Sequence, residues 1–403
     1  MKTNLKRFAL ALILLIFVSW IWMFASSRRT DLNNAALNEL VKSEWEKYGS
    51  SRPTWEGEVS IYIMTPKGNY FSASNPDKGA SSKVHFRAAS VTKTFTAASI
   101  MLLDQQGKLN INDKITALIP GSTEPYVPNT PAYDIPNKER ITIRQLLKHR
   151  AGVWDISNNS IPAAAKAPYA GKNYVEYMKE LDPAHTFTFD ELVGVVASNK
   201  LSFFAPDASY HYSDTGYSIL GKMIERVSGQ RYDQFVKNNL LIPNGLKNTT
   251  LPYLGDQQTL PAPFSRGYST AGKLLMETTM DNMSPHVAEG NVISTAADLA
   301  VWIGRLLRGE AGVSKTGAKM MMEGTLDKKY GLGISYVPGL GYGHDGGHAG
   351  YATVVKYDPS QDVAVVISAS MIVFDDLVPY YNFLHNIGRK AKNLLGYPTA
   401  EAG

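Results

Sequence analysis

Two hairpin-like segments at opposite ends of the chain constrain its fold more than any other feature. VSIYIMT and NYFSASN flank Pro66-Lys67-Gly68 near the amino end, and YATVVKYD and VAVVISAS flank PSQD near the carboxyl end. Apolar, β-branched and aromatic residues around a short turn are typical of a β-hairpin. Helical patterns fill the middle, roughly residues 108–330. The arrangement predicts an α/β (α+β) fold, in which one antiparallel sheet is built from both termini, flanked by helices, with a large helical insertion between them.

The first 29 residues are expected to direct export. Phe8 to Ala25 runs FALALILLIFVSWIWMFA, with Ser19 as its only polar residue. This length is near the minimum for a membrane-spanning helix and no good cleavage site follows, which favours an uncleaved signal anchor over a cleaved signal peptide. We therefore expect a protein of a bacterial-type cell envelope, anchored through residues 8–25, or secreted or periplasmic if the segment is cleaved. Residues 30–54 are predicted to form a linker helix.

Charge and cysteine content exclude several classes of partner and chemistry. The formal net charge of +5 is carried entirely by Lys2, Lys6, Arg7, Arg28 and Arg29, and the remaining chain is neutral. No basic stripe is left to bind nucleic acid, so no nucleic-acid partner is expected. The chain has no cysteine, which excludes disulfides, thiol catalysis and thiolate metal sites.

The segment FRAASVTKTFTAAS, residues 86–99, carries the first candidate for chemistry. Ser90 follows a strand-like stretch and opens a helical one, where the helix N-terminus favours negative charge. Lys93 lies one turn further on the same face, within reach of the serine oxygen. If its apolar neighbours desolvate the amine, it is neutral part of the time and can accept the serine proton. The alternative is an ordinary N-cap serine with a surface lysine, because Ser-x-x-Lys pairs also occur by chance.

The segment YHYSDTGYSILG supplies a second candidate. Tyr212 lies just before a predicted helix, and a phenol beside a cationic lysine can have its pKa lowered and can shuttle protons. A packed core tyrosine is the alternative interpretation, and Tyr210 and Tyr217 are expected to be such core residues.

The glycine-rich segment GYGHDGGHAGY, residues 341–351, supplies the third. Its glycines mark a close approach of the backbone to another group. His344 is expected at the start of an edge strand whose N–H groups can donate to an oxyanion. His344 and His348 could also indicate a metal site, but no helix can hold them through the glycines and no acidic ligand set lies nearby. No metal and no cofactor are expected.

A Lys-Thr-Gly triplet at residues 315–317 is set aside. In penicillin-recognising enzymes such a triplet lies on a strand beside the nucleophile. Here AKMMMEG follows it, and these residues are good helix formers. The triplet is therefore predicted to be a loop that enters a helix.

In this order, the three candidate segments resemble the serine β-lactamase and penicillin-binding protein superfamily. The likeness is closest to the class C-like branch, with its D-Ala-D-Ala carboxypeptidases and related esterases. It spans about residues 55–390 and includes GKLNINDKI, ITIRQLLKHRAG, NVISTAADLA and YGLGISY. No G-x-S-x-G elbow is present, which argues against the α/β-hydrolase route to the same chemistry. The resemblance implies a hydrolase domain over residues 55–398, with a helical subdomain at about 108–330.

The resemblance also implies roles for single residues. Ser90 would be the acylated nucleophile, and Lys93 and Tyr212 its proton-transfer partners. His344 would be a catalytic residue in the position of the lysine of Lys-Thr-Gly. The oxyanion hole would consist of the backbone N–H groups of Ser90 and Gly347.

The implied substrate-binding positions are Asp214, Asp345 and Gly346, and two of them depart from the family pattern. Asparagine often stands at the position of Asp214, and an amide can donate to a substrate carbonyl whereas a carboxylate only accepts. A serine or threonine that helps to bind the substrate carboxylate often stands at the position of Asp345, whose charge would repel that group. Both departures favour an ester, a cationic peptide or a neutral amide. His211 and His348 either line the pocket or lie at the surface.

The leading prediction is an exported serine hydrolase that cleaves an amide or ester bond through an acyl-enzyme on Ser90. Its activity would be D-alanyl-peptidase-like or esterase-like, on a small-molecule or peptide substrate such as a cell-wall peptide. A β-lactamase is one alternative, and a catalytically silent binding module like a penicillin-binding protein is the other. A silent module would be free to lose Ser90, Lys93 or Tyr212, and all three are present.

Overall fold

The computed structural model describes residues 32–399, apart from residue 53, residues 77–78 and residues 326–329. The export segment predicted at residues 8–25 lies outside these residues. Across the part of the chain that is described, none of the helices combines the length and apolar character needed to cross a bilayer. The domain boundaries drawn from the sequence remain predictions.

Most strands lie near the two ends of the chain. In chain order they are β1 (Val59–Thr65), β2 (Gly68–Ala73), β3 (His85–Arg87), β4 (Tyr268–Ala271), β5 (Leu274–Glu277), β6 (Ile293–Thr295), β7 (Ser335–Val337), β8 (Gly341–His348), β9 (Tyr351–Asp358), β10 (Val363–Ala369) and β11 (Met371–Val373). Both predicted hairpins, β1–β2 and β9–β10, are confirmed.

Helices dominate the middle of the chain and also lie near both ends of the described residues. They are α1 (Ala35–Gly49), α2 (Thr92–Gln105), α3 (Ile143–Leu147), α4 (Tyr174–Leu181), α5 (Phe189–Ser198), α6 (Asp214–Ser228), α7 (Tyr232–Val236), α8 (Ile242–Asn244), α9 (Ala296–Arg308), α10 (Lys315–Met322) and α11 (Leu377–Leu394). The Lys-Thr-Gly triplet opens α10 behind the N-cap Ser314. The prediction of a helix rather than a strand at this point is confirmed, but the triplet itself is the first turn of the helix and not the loop that the sequence predicted.

The described residues contain a six-stranded sheet with the strand order β2-β1-β10-β9-β8-β7. Each neighbouring pair is antiparallel. The two ends of the chain meet where β1 pairs with β10, from Val59 opposite Ala369 to Met64 opposite Ala364. The predicted antiparallel sheet assembled from both termini is confirmed.

Helices cover both faces of this sheet. On one face α1 and α11 pack on β1 and β10, with Leu37, Val41 and Trp45 of α1 buried at helical spacing. On the other face α9 packs on β1, β9 and β10. Every residue of β10 is therefore buried, which explains why its sequence is apolar at every position except Ser368 rather than alternating.

Helix α2 is the buried connection between the sheet and the helical middle of the chain. All of its residues from Thr92 to Leu103 are buried. The indole of Trp302 in α9 stacks on Phe95 with ring centroids 4.1 Å apart, and its N–H donates to Thr94 Oγ1 at 2.8 Å. These contacts hold the start of α2, and Ser90 just before it, against the sheet.

Strand β8 has a free edge beside the start of α2. Strand β7 pairs with residues 341–343 of β8, and no other described strand pairs on that side, so among the described residues the free edge begins at His344. The expectation that His344 starts an edge strand is thus met in part: His344 is the fourth residue of β8, and the edge is free from there onward.

Candidate active site

Ser90 is placed by a sharp turn between β3 and α2. The turn is a short 3₁₀ segment, Ala89–Val91, that runs directly into α2. Ala89 has a φ of 49°, in the left-handed region that residues with a side chain rarely occupy. Backbone strain of this kind is concentrated at functional sites. The turn leaves Ser90 partly accessible while both of its neighbours are buried.

Lys93 lies one helical turn from Ser90 and makes a dense set of polar contacts. Its Nζ donates to Ser90 Oγ at 3.1 Å and to the backbone oxygen of Glu289 at 2.8 Å. It also lies 2.6 Å from Asp214 Oδ1 and 3.3 Å from Glu289 Oε2. The side chain of Lys93 is fully buried. The predicted pairing of Ser90 with Lys93 is present, together with two carboxyl groups that the sequence motif did not indicate.

These carboxyl groups reverse the expected protonation behaviour of Lys93. Burial lowers its pKa, but the interactions with Asp214, Tyr212 and Glu289 raise the pKa more, so that it lies well above its usual value. The expectation of a partly neutral amine was based on desolvation alone. Lys93 is instead an ammonium ion at neutral pH.

Tyr212 lies against Lys93 with its ring centroid 4.8 Å from the ammonium nitrogen. Burial raises the pKa of its phenol well above the usual value, and hydrogen bonds with Lys93 and Ser90 offset this only in part. The direction is opposite to the lowering that the sequence suggested. Tyr212 is a neutral phenol in hydrogen-bond contact with the nucleophile and the lysine.

Helix α6 explains how Tyr212 and Asp214 reach the same place. Ser213 is its N-cap and accepts from the Gly216 N–H at 3.3 Å. Tyr212 thus lies just before the helix and Asp214 is its first residue. Burial raises the pKa of Asp214, but the ion pair with Lys93 lowers it more, so that the carboxyl is ionised.

A second carboxyl group, Asp155, lies beside Asp214. The Nδ2 amide of Asn158 donates to Asp155 Oδ2 at 2.9 Å and to Asp214 Oδ2 at 2.7 Å. Burial and the neighbouring Asp214 charge raise the pKa of Asp155 to about 7. The sequence analysis missed Asp155 and Asn158, because their loop carries no motif and reaches the site only through the tertiary fold.

Glu289 also contacts Lys93, and the sequence analysis did not identify it either. Burial and the charge of Asp214 raise its pKa, and its Oε1 lies 2.6 Å from Nδ1 of His286. Burial lowers the pKa of His286, but Glu289 raises it more. His286 and Glu289 therefore form a partly buried ion pair next to the lysine.

His344 is neutral and uses both ring nitrogens within the protein. Burial and the charges of Lys93 and Lys356 lower its pKa to about 3. Its Nδ1 lies against the backbone oxygen of Asp345, which can only accept, so Nδ1 carries the proton. Its Nε2 accepts from the Tyr330 hydroxyl at 2.6 Å. The position that the resemblance assigns to a lysine is therefore uncharged.

Asp345 is ionised, and neighbouring groups compensate its charge. Its Oδ1 lies 3.1 Å from Nζ of the fully buried Lys356, and its Oδ2 lies 3.1 Å from Nε2 of His385. Burial raises the pKa of Asp345, but Lys356 and His385 hold it well below its usual range. The negative charge at this position is thus compensated locally.

The two glycines that follow bring β8 close to the nucleophile. A Cβ atom on Gly346 would lie 2.2 Å from the backbone oxygen of Ala88 and 3.1 Å from the nitrogen of Ser90. Only glycine permits this approach. Gly347 is the next residue and is exposed, and it lines the same cleft as Ser90.

The cleft has two compartments that meet at Ser90, Asp214 and Gly347. One, with a volume of about 700 Å³, is lined largely by aromatic and apolar side chains and includes His211. The other, about 410 Å³, is lined by charged side chains and includes His348. His348 Nε2 lies 2.7 Å from Asp281 Oδ2. Burial lowers the pKa of His348 to about 4. Both histidines therefore line the cleft.

Within residues 32–399 and outside the gaps noted above, no three His, Cys, Asp or Glu side chains are placed to hold one metal ion.

Comparison with known proteins points to one family. A family profile described as Beta-lactamase matches residues 68–371. The putative penicillin-binding protein PbpX of Bacillus subtilis (strain 168) is 22% identical over 286 residues, which cover 71% of this chain and 62% of that protein. The chain thus spans less than two thirds of the length of PbpX. A putative D-alanyl-D-alanine carboxypeptidase of Salmonella paratyphi A is 25% identical over 325 residues, covering 72% of this chain and 69% of that protein.

A solved structure shares the fold over nearly the whole described chain. The D-amino acid amidase from Ochrobactrum anthropi SV3, complexed with D-phenylalanine, has a TM-score of 0.69 at 20% identity and covers 89% of this chain and 99% of that one. At this identity the likeness concerns the fold alone. The profile match, which extends over most of the chain and includes all three candidate segments, shows that the chain belongs to the beta-lactamase family.

Proposed function

We propose that the protein is an exported serine hydrolase that cleaves an amide or ester bond through an acyl-enzyme on Ser90. The observation that carries the proposal is the hydrogen bond of 3.1 Å from Lys93 Nζ to Ser90 Oγ, at the start of α2 and open to the cleft. Nucleophile and proton-transfer group within hydrogen-bond reach are the usual signature of covalent catalysis by serine. Family membership supports a hydrolase, and the apolar segment at residues 8–25 supports export.

Asp214 is the group that can finally accept the serine proton. Lys93 is already protonated and Tyr212 is a neutral phenol, so neither holds a free site for a proton. Asp214 is ionised and lies 2.6 Å from Lys93 Nζ. As Ser90 Oγ attacks the substrate carbonyl, Lys93 passes one proton to Asp214 and takes the proton of Ser90. The net result is a neutral Asp214 and an unchanged lysine ammonium.

The remaining steps use groups already in place. The carbonyl oxygen becomes an oxyanion that accepts from the N–H groups of Ser90 and Gly347. When the C–N or C–O bond breaks, Tyr212 donates its proton to the leaving group and is reprotonated from Asp214 through Lys93. The proton lost by Ser90 thus leaves with the amine or alcohol. Water then attacks the acyl carbonyl and its proton passes through Lys93 to Asp214. The proton returns through Lys93 to Ser90 Oγ as the acyl group leaves.

The substrate-binding edge favours an amide or ester without an essential carboxylate. His344 is neutral and uses both ring nitrogens internally, so it offers no positive charge to such a group. The charge of Asp345 is compensated by Lys356 and His385, so it does not repel strongly either. A D-amino acid amide or an ester fits this description better than a D-alanyl-D-alanine peptide or a β-lactam antibiotic, because the latter two carry a carboxylate.

The experiment is active-site labelling of the detergent-solubilised full chain. The protein is treated with a fluorophosphonate probe and, separately, with a fluorescent penicillin, beside a Ser90→Ala control. We expect rapid fluorophosphonate labelling, with the adduct mapped to Ser90 by mass spectrometry, and weaker labelling by the penicillin. D-amino acid amides and D-alanyl-D-alanine peptides are then tested for turnover. No adduct on Ser90 of folded protein with either probe would overturn the proposal and favour a silent binding module.

A further inference from the structure

One hydrogen bond links the C-terminal helix to the proposed oxyanion hole. The hydroxyl of Tyr381, in the first turns of α11, donates to the backbone oxygen of Gly346 at 2.6 Å. Gly346 lies on the free edge of β8, immediately before Gly347. Neither the sequence motifs nor the proposed reaction assigns Tyr381 a role.

The Tyr381 hydroxyl contacts the peptide unit that also carries the Gly347 N–H. The oxygen of Gly346 and the N–H of Gly347 belong to the same planar peptide, and in the trans form they point in opposite directions. Ala262–Pro263 is the cis bond identified among the described residues. Holding the oxygen at one end therefore sets the direction of the N–H at the other end.

The β8–β9 ladder restrains this peptide from one side, since Gly346 lies opposite Thr353 and Gly347 opposite Ala352. On the outer side, no strand among the described residues pairs with β8 from His344 onward, and two consecutive glycines add few steric restrictions of their own. A hydrogen bond to the carbonyl also polarises the peptide and strengthens its N–H as a donor.

The surroundings of Tyr381 favour a fixed position for its hydroxyl. A Cβ atom added to Gly347 would lie 2.8 Å from this oxygen, so the hydroxyl is packed directly against the edge. One turn further along the same helix, His385 holds Asp345. Helix α11 thus contacts β8 at Asp345 and Gly346, the two residues before Gly347.

We propose that Tyr381 is a positioning residue that orients and polarises the Gly346–Gly347 peptide, so that the Gly347 N–H stabilises the oxyanion. The inference rests on the proposed function, because it requires that Ser90 attacks a carbonyl. It predicts a loss in the chemical step rather than in substrate binding.

The test compares Tyr381→Phe with Tyr380→Phe in the full chain. The Tyr380 hydroxyl donates to the backbone oxygen of Met371 at 2.7 Å, away from β8, so the control also loses one tyrosine–carbonyl bond from the same helix. With an ester or D-amino acid amide substrate, we expect Tyr381→Phe to lower kcat about ten-fold, less than the loss seen when an oxyanion donor is removed outright. KM should stay within about two-fold, since this bond orients a donor for the transition state.

A boronic acid inhibitor provides a second measurement. Its adduct with Ser90 is tetrahedral and negatively charged, so its affinity should fall about ten-fold in Tyr381→Phe. Tyr380→Phe should change neither kcat nor this affinity. If wild-type protein does not react, the proposed function fails and this inference with it. If wild type reacts and Tyr381→Phe matches it in kcat and boronate affinity, or loses only KM, the inference alone is overturned.

Discussion

Lys93 and Asp214 form an ion pair with 2.6 Å between Nζ and Oδ1, and both side chains are buried. At this position the resemblance leads one to expect an asparagine, which could not hold a charge. The carboxylate keeps the lysine protonated and supplies a proton acceptor at the same time. The identity of residue 214 therefore decides which group acts as the base.

Asp214→Asn tests this assignment. Because the amide cannot accept a proton, we expect kcat/KM at pH 7 to fall by about 100-fold, the scale of a lost general base. The variant also removes the group that raises the pKa of Lys93 most. Burial then lowers that pKa, so the lysine becomes a competent base at alkaline pH and activity should recover as pH rises. The pH–rate profile of kcat/KM measures both effects.

Glu289→Gln is the matched control, since Glu289 also contacts Lys93 but at 3.3 Å. Glu289→Gln should cost less activity than Asp214→Asn. Its pH–rate profile should not show the recovery of activity at alkaline pH that is expected for Asp214→Asn. Asp214→Asn with wild-type kcat/KM at every pH would show that Asp214 is not the proton acceptor.

The sequence predicted the sheet, its flanking helices and the Ser90–Lys93 pair because these depend on local patterns. Hydrophobic periodicity identifies a strand or helix, and a spacing of three places two residues on one helix face. It did not predict Glu289, which lies 196 positions from Lys93 and reaches it only through the fold. The directions of the Lys93 and Tyr212 pKa shifts were missed for the same reason, since distant charges and burial set them.

Asp155 should make stability depend on pH. Burial and the Asp214 charge raise its pKa to about 7 from 3.8, so below about pH 4 the group is protonated in folded and unfolded chains alike. As pH rises toward 7 the unfolded chain releases this proton before the folded chain does, so the free energy of unfolding falls progressively. Asp155→Asn cannot titrate. Its melting temperature relative to wild type should therefore increase from pH 4 to pH 7 and then level off.

Thermal unfolding of both proteins at several pH values measures this difference. In an Asp214→Asn background the neighbouring charge is absent, so the window in which the difference grows should narrow and end at lower pH. A difference that is constant from pH 4 to pH 8 would mean that Asp155 titrates normally in the folded protein.

Tyr330→Phe should destabilise the fold through His344. The variant leaves the buried Nε2 of His344 without its donor at 2.6 Å. An unsatisfied buried acceptor costs about 1–3 kcal/mol. Urea unfolding at pH 7 should show a loss in this range with little change in the slope. A Tyr330→Phe variant as stable as wild type would indicate that Tyr330 does not donate to His344.

The Asp345–Lys356 pair predicts a loss that a second substitution repairs. Lys356→Met leaves the Asp345 carboxylate with His385 as its remaining partner, and removing one member of a buried pair costs about 3 kcal/mol. Asp345→Asn in the same background removes the uncompensated charge, so the double variant should regain much of that stability.

Lys356 is also the group that lowers the pKa of Asp345 most. Without it the carboxylate protonates more readily, so the cost of Lys356→Met should shrink as pH falls toward 4. Urea unfolding of wild type, both single variants and the double variant at pH 7 and pH 4 measures both effects. Additive losses at pH 7, or a cost that does not change with pH, would show that the two charges do not stabilise one another.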